Sequence, residues 1–265
     1  MRNKTRNIPA LILPIPFAGS ALASGLGGEG SVEARIFRDE NGDSMPYRIR
    51  QPRDNDATKA YPLVLCLHGV AGRGTDNQSR GTEAFLALSA PEIQTKYPGF
   101  LLTPQCPEGK TWSRYELPMR GSHPDSKGRM TKEMRLVLSI LDAVRKECRI
   151  DSSRLYVTGQ SMGGYGTWDI IARNPHLFAA AVPVCGDGDP SRAKDLAQLP
   201  IWIFHGAQDT DVPVSTSRDM YKALKDAGSK ARYIEYPDVG HDSWVAAWRE
   251  PELIPWLFEQ RRSPP

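Results

Sequence analysis

Four cysteines in 265 residues, no two of them in a C-x-x-C spacing, and no H-E-x-x-H pair leave the chain without the common zinc-ligand patterns. Long apolar runs are missing too. The stretch from Ile8 to Ala18 is short and interrupted by Pro9, Pro14 and Pro16, which argues against a membrane span. Excess charge is scarce: 34 basic residues face 31 acidic ones. Three of the basic ones, Arg2, Lys4 and Arg6, lie before residue 24 in a segment with no acidic residue, so the remainder balances at 31 and 31. With no basic stripe carrying interleaved aromatics, there is no electrostatic case for a nucleic-acid partner.

The basic start, the apolar stretch and Ala21-Leu22-Ala23 together fit a secretory leader. The expected organisation is a signal peptide over 1–23, a short glycine-rich linker over 24–31 and one catalytic domain over 32–265. The product would be secreted or periplasmic, with no stable membrane insertion after cleavage. An exported chain permits disulfides, in three possible connectivities. Cys66 and Cys185 lie in or at the end of apolar strands, where buried free thiols are expected.

Runs near 62–67, 100–103, 154–158, 180–184 and 200–204 are continuously apolar, as strands covered on both faces are. Glu33–Arg38 and Tyr47–Arg50 alternate around Asn41-Gly42 and predict an antiparallel hairpin at the sheet edge. Met134, Val137, Leu138, Leu141 and Val144 recur at helical spacing between Thr131 and Cys148, and Met220, Tyr221 and Leu224 do so before Gly228, an expected helix stop. Strands alternating with helices predict an α/β fold with a doubly wound, mostly parallel sheet and antiparallel N-terminal strands. Ligands of such sheets gather at the carboxyl ends of the strands.

At one of those ends stands Gly159-Gln160-Ser161-Met162-Gly163, a G-x-S-x-G turn between the apolar Leu155-Tyr156-Val157 and a helix. Such a turn exposes the serine hydroxyl at a helix N-terminus, where free N–H groups favour an oxyanion. A serine needs a base and a residue to orient it. Asp209 follows the Pro200–Phe204 strand and His241 follows the Arg232–Tyr236 strand, giving the order Ser161, Asp209, His241. Asp211 competes with Asp209 for the acid role. His68 and His205, each followed by glycine at a strand end, read as structural, Asp242 as a loop or capping residue, and His123 and His176 as solvated. His68–Asn77, after the Pro62–Leu67 strand, reads as an oxyanion loop in which the Val70 amide faces that of Met162. A phosphate loop is the competing reading, but no G-K-[ST] follows it.

These four segments together resemble the α/β-hydrolase superfamily, and within it the dienelactone-hydrolase-like and feruloyl-esterase-like branch of secreted serine esterases, some labelled predicted peptidases. The resemblance runs from about Arg35 to Arg261. It implies Ser161, Asp209 and His241 as catalytic residues, Val70 and Met162 as oxyanion donors, and no metal or cofactor. It also implies that the segments holding Gln105 and Trp112 border the substrate cleft. Trp244 could add an aromatic wall, whereas Trp168, behind the serine, reads as core. Dienelactone hydrolases proper use a cysteine nucleophile, so Ser161 argues against that activity itself. The implied function is hydrolysis of small-molecule or polysaccharide-linked esters, feruloyl or acetyl among them. The rivals are a serine peptidase of the same fold and a non-catalytic carbohydrate-binding module. Only about fourteen residues, Gly186 to Leu199, separate two of the strands, too few for a large lid between them.

Overall fold

The computed structural model describes residues 12–14, 30–78, 82–114 and 126–262. The expected cleavage site, nearly all of the linker and His123 lie outside them. Among the described residues nine strands form one sheet: β1 (Ile12–Pro14), β2 (Val32–Arg38), β3 (Ser44–Arg50), β4 (Tyr61–Leu67), β5 (Phe100–Pro104), β6 (Ile150–Gln160), β7 (Ala180–Val184), β8 (Trp202–Gly206) and β9 (Arg232–Tyr236), in the order β1-β2-β3-β5-β4-β6-β7-β8-β9. The first three contacts, through β3 and β5, are antiparallel and the remaining five are parallel. This is the expected doubly wound sheet with its antiparallel N-terminal strands. β1 falls inside the segment read as a leader and pairs with Arg35–Phe37 of β2.

Among the described residues five α-helices lie between strands, α1 (Glu83–Ser89), α2 (Pro91–Lys96), α3 (Lys132–Glu147), α4 (Met162–Arg173) and α5 (Ser215–Asp226), and two follow β9, α6 (Trp244–Ala247) and α7 (Leu253–Glu259). The reason the central strands are continuously apolar is visible in β4. Leu63, Leu65 and Leu67 enter one core with α3, α4 and α5, while Val64 and Cys66 enter a second core with α1, α6 and α7. A strand with two buried faces has no polar alternate position to show. None of the four cysteines is in a disulfide, and Cys66, Cys106 and Cys185 are buried.

Local signals set the helix ends. Thr131 caps α3 by accepting from the Met134 amide at 3.1 Å. At the end of α5, Gly228 takes φ +82°, and the amides of Gly228 and Ser229 turn back to the carbonyls of Lys225 and Leu224. That paired closure needs a left-handed residue just past the helix, which glycine adopts without a Cβ clash. No helix among the described residues is long and apolar enough to cross a membrane.

Candidate active site

β6 lies between β4 and β7 in the middle of the sheet and delivers Ser161 directly to the start of α4. Ser161 has φ +54° and ψ −121°, a conformation that a side chain adopts only at a cost of about 1–3 kcal/mol. Its surroundings impose that shape. The Ser161 amide donates to the Val184 carbonyl at 3.0 Å, and its carbonyl accepts from the Tyr165 amide at 3.1 Å. A methyl group at Gly159 would overlap the Gly163 carbonyl, and one at Gly163 would overlap the Leu67 carbonyl. Both glycines of the pentapeptide are therefore required by backbone packing, and the strained serine follows from them.

The structure brings together three side chains that are far apart in sequence. His241 Nε2 lies 2.8 Å from Ser161 Oγ, and His241 Nδ1 lies 2.8 Å from Asp209 Oδ2. The Asp209 side chain is fully buried, whereas that of His241 keeps 21% of its surface exposed. Asp209 Oδ1 accepts from the amides of Asp211 and Val212, both at 2.9 Å. Burial alone would raise the Asp209 carboxyl, but hydrogen bonds from His205, His241 and the Val212 amide outweigh it and hold the group well below the usual carboxylate range. An ionised carboxylate only accepts, so the Nδ1 of His241 carries the proton and Nε2 offers its lone pair to Ser161. Asp211, the alternative acid, is exposed and reaches this network only through its backbone amide.

The loop after β4 comes close to the serine. A methyl group at Gly69 would stand 3.5 Å from Ser161 Cβ, and Val70 opens a short 3-10 turn over Val70–Gly72. His68 is buried and works on the backbone. Its Nδ1–H donates to the Gly69 carbonyl at 2.6 Å, so Nε2 is the acceptor, and it receives the Cys106 amide at 3.0 Å. Burial pushes the His68 imidazole down to about 4, with the charge of Arg73 acting in the same direction against the Gly69 bond. The Gly69 carbonyl and the Val70 N–H belong to one peptide plane, so this bond sets the direction of the Val70 amide.

Two of the expected substrate-cleft residues are placed elsewhere. Trp112 is fully buried, donates Nε1–H to the His68 carbonyl at 2.9 Å and sits edge-on to the His68 ring. Gln105 is buried as well, accepting from the Asn77 amide and donating to the Gly72 carbonyl and Asp76 Oδ1. Both support the loop from beneath and offer no surface to a substrate, a correction that follows from the loop's need for partners for its turned-in backbone groups. Trp244 remains partly exposed and stands edge-on to His241 with ring centres 5.4 Å apart. Trp168 is core, as expected, and His176 is exposed.

Two neighbours of these three side chains carried no distinctive sequence signal. Cys185, at φ +39°, is fully buried beside it, and its Sγ lies with an Asp209 oxygen and a His241 nitrogen inside a 4.8 Å cluster. Those three are the residues closest to a metal-ligand set among the described ones. Burial pushes the Cys185 thiol up and keeps it protonated, and the other two atoms already bond each other or their neighbours. The second is His205, which reads as structural from sequence but reaches Asp209 Oδ2 at 3.1 Å. Its only clue in the sequence is its place four residues before the acid.

The comparisons with known proteins identify the family of the chain. Residues 123–248, a span containing Ser161, Asp209 and His241, match the model of the dienelactone hydrolase family. A carboxymethylenebutenolidase-like protein of Escherichia coli K12 is 38% identical over 219 residues, covering 76% of this chain and 73% of that one. A bifunctional acetylxylan esterase/xylanase of Neocallimastix patriciarum is 27% identical over 204 residues, covering 74% of this chain and 27% of its own length. Among solved structures, a thermostable esterase superposes with a TM-score of 0.77 at 38% identity over 87% of this chain, and the chain spans 63% of that esterase's length. The match across the site, together with the shared sheet, shows that this chain is a hydrolase belonging to the dienelactone hydrolase family of the α/β-hydrolase superfamily.

Proposed function

We propose that the protein is an exported serine carboxylic-ester hydrolase in which Ser161 attacks the ester carbonyl, His241 takes the serine proton and returns it to the leaving alcohol, and Asp209 orients and balances the imidazole. The observation that carries this reading is the unbroken chain Ser161 Oγ–His241 Nε2, His241 Nδ1–Asp209 Oδ2, each link at 2.8 Å. As the Ser161 O–C bond forms, the carbonyl oxygen gains charge beside the N-terminus of α4, where the Met162 amide is free of an intrahelical acceptor. The Val70 amide supplies the second donor from the opposite loop. Collapse of the tetrahedral species expels the alcohol with a proton from His241. Water, deprotonated by the same imidazole, then releases the acid and frees Ser161.

Acetyl or hydroxycinnamoyl esters on plant polysaccharide are the proposed substrate class. The relative described as an acetylxylan esterase/xylanase supports an acyl group carried on a glycan. Export is supported by the basic and apolar start followed by Ala21-Leu22-Ala23. Reaction with a labelled fluorophosphonate, followed by a panel of acetyl, longer acyl, feruloyl and peptide substrates, tests the reading. Ser161→Ala is expected to lose the label and lower ester turnover by several orders of magnitude while the fold is kept. Undiminished turnover in that variant removes the nucleophile assignment, and faster cleavage of the peptides than of any ester makes the enzyme a peptidase.

A further inference from the structure

Asp209 Oδ2 is shared by two histidines. His241 Nδ1 reaches it at 2.8 Å from the solvent side, and His205 Nε2 reaches it at 3.1 Å from within the protein, where His205 has no exposed surface. The same Nε2 lies 3.0 Å from the Val212 carbonyl. A carboxylate and a carbonyl are both acceptors, so this nitrogen carries a proton and divides it between them. The remaining nitrogen, Nδ1, lies 2.7 Å from Ser217 Oγ, a hydroxyl that is buried in α5 and can donate to it. Val212 closes the ring, since its amide donates to Asp209 Oδ1 while its carbonyl receives from His205. A histidine that merely filled space at the end of β8 would need neither the tautomer nor the hydroxyl behind it.

We infer that His205 is a positioning residue for the acyl-transfer reaction: held in its Nε2–H form by Ser217, it fixes the plane of the Asp209 carboxylate and draws off part of the charge that the carboxylate presents to His241. The inference rests on the triad reading above. Its physical basis is that a fully buried carboxylate with an unpaired oxygen is costly and turns to find a partner. With the His205 donor in place, the Oδ2 lone pair facing His241 is the only one left to align. Without it, the carboxylate attracts a proton more strongly and stabilises the charged His241 ring, so the serine's base is lost to protonation at a higher pH. The other titratable groups around this chain are Glu235, beside His205 on β9 and paired with Arg218 and Tyr233, the Cys185 thiol at the end of β7, and Asp242 on the His241 loop. None of them replaces the donated bond.

The test compares His205→Leu, His205→Gln and Ser217→Ala with the wild type by pH profiles of kcat and kcat/KM on one ester, with folding checked by circular dichroism. His205→Leu removes the donor, and kcat is expected to fall about tenfold or more, with KM little changed and the acid limb displaced upward by about half a unit or more. His205→Gln retains an N–H near the Nε2 position and is expected to recover most of kcat and the original acid limb. Ser217→Ala frees the tautomer and should move the limb in the same direction by less. Folded His205→Leu with a wild-type kcat and acid limb overturns the inference, as does equal damage in the Leu and Gln variants. If neither His205 variant folds, Ser217→Ala decides: a displaced limb supports the inference and an unmoved one overturns it. Failure of the wild type itself to label with fluorophosphonate or to hydrolyse any ester identifies failure of the triad reading instead.

Discussion

A His-Gly pair follows β4 as His68-Gly69 and another closes β8 as His205-Gly206; both histidines are buried completely or nearly so at the carboxyl edge of the sheet, yet they hold different things. His68 is tied to backbone: it donates to the Gly69 carbonyl and accepts from the Cys106 amide. His205 is tied to a charged side chain, Asp209 Oδ2, and to a hydroxyl behind it. The first loop presents peptide dipoles, so its histidine has to fix a plane. The second presents a carboxylate to a moving proton, so its histidine has to fix both a direction and a charge. One dipeptide at equivalent places in the sheet thus acts on a neutral group in one loop and on an ion in the other.

The sharpest way to separate the loops is to change the ion. Asp209→Asn keeps the shape but lets the amide donate to His241, which selects the wrong tautomer. It is expected to lower kcat about 10³–10⁴-fold in steady-state ester assays, a loss that no neutral substitution in the His68 loop should equal. A loss below about tenfold would mean that the acid is dispensable. The next effect is on stability and belongs to the other loop. His68 is neutral in the folded protein down to about pH 4, whereas in the unfolded chain an imidazole takes up its proton near 6.5. The folded state is therefore favoured above that unfolded value, and this contribution is lost as pH falls toward 4, by up to about 3 kcal/mol. Denaturant titrations between pH 7 and pH 4 should show a shallower loss for His68→Phe than for the wild type, and identical slopes would contradict the buried neutral imidazole. The smallest effect is expected at Asp211. Its side chain is exposed and only its amide serves Asp209, so Asp211→Ala should keep kcat/KM within about twofold. A collapse of activity there would move the acid role along the loop.

Much of the fold was legible in the sequence because its signals are local. The β2–β3 hairpin, the apolar central strands, the ends of α3 and α5 and the glycines flanking Ser161 each follow from a few adjacent residues. The three side chains that meet at the site were legible as well, since each sits just past a strand that had to end at the same rim. Gln105 and Trp112 were misplaced because a polar or aromatic residue in a rim loop looks the same whether it faces outward to a ligand or inward to the loop's own backbone. Only the hydrogen bonds to Gly72, Asp76, Asn77 and His68 distinguish the two. His205 reads from the sequence as structural, and its bond to Asp209 was invisible there, because the path of the chain through Val212 and back along α5 decides which atoms it meets.

By itself, the sequence determined the alternation of strands and helices, the strained serine turn and the strand ends at which Ser161, Asp209 and His241 stand, because periodicity and glycine sterics act over a few residues. The tertiary structure alone decided which lone pair each histidine offers and to whom. A proton's position on an imidazole is set by the groups around both nitrogens, which the folded backbone brings in from the adjacent Gly69 carbonyl for His68, from Asp209, Val212 and Ser217 on the following loop and helix for His205, and from the distant Asp209 and Ser161 for His241.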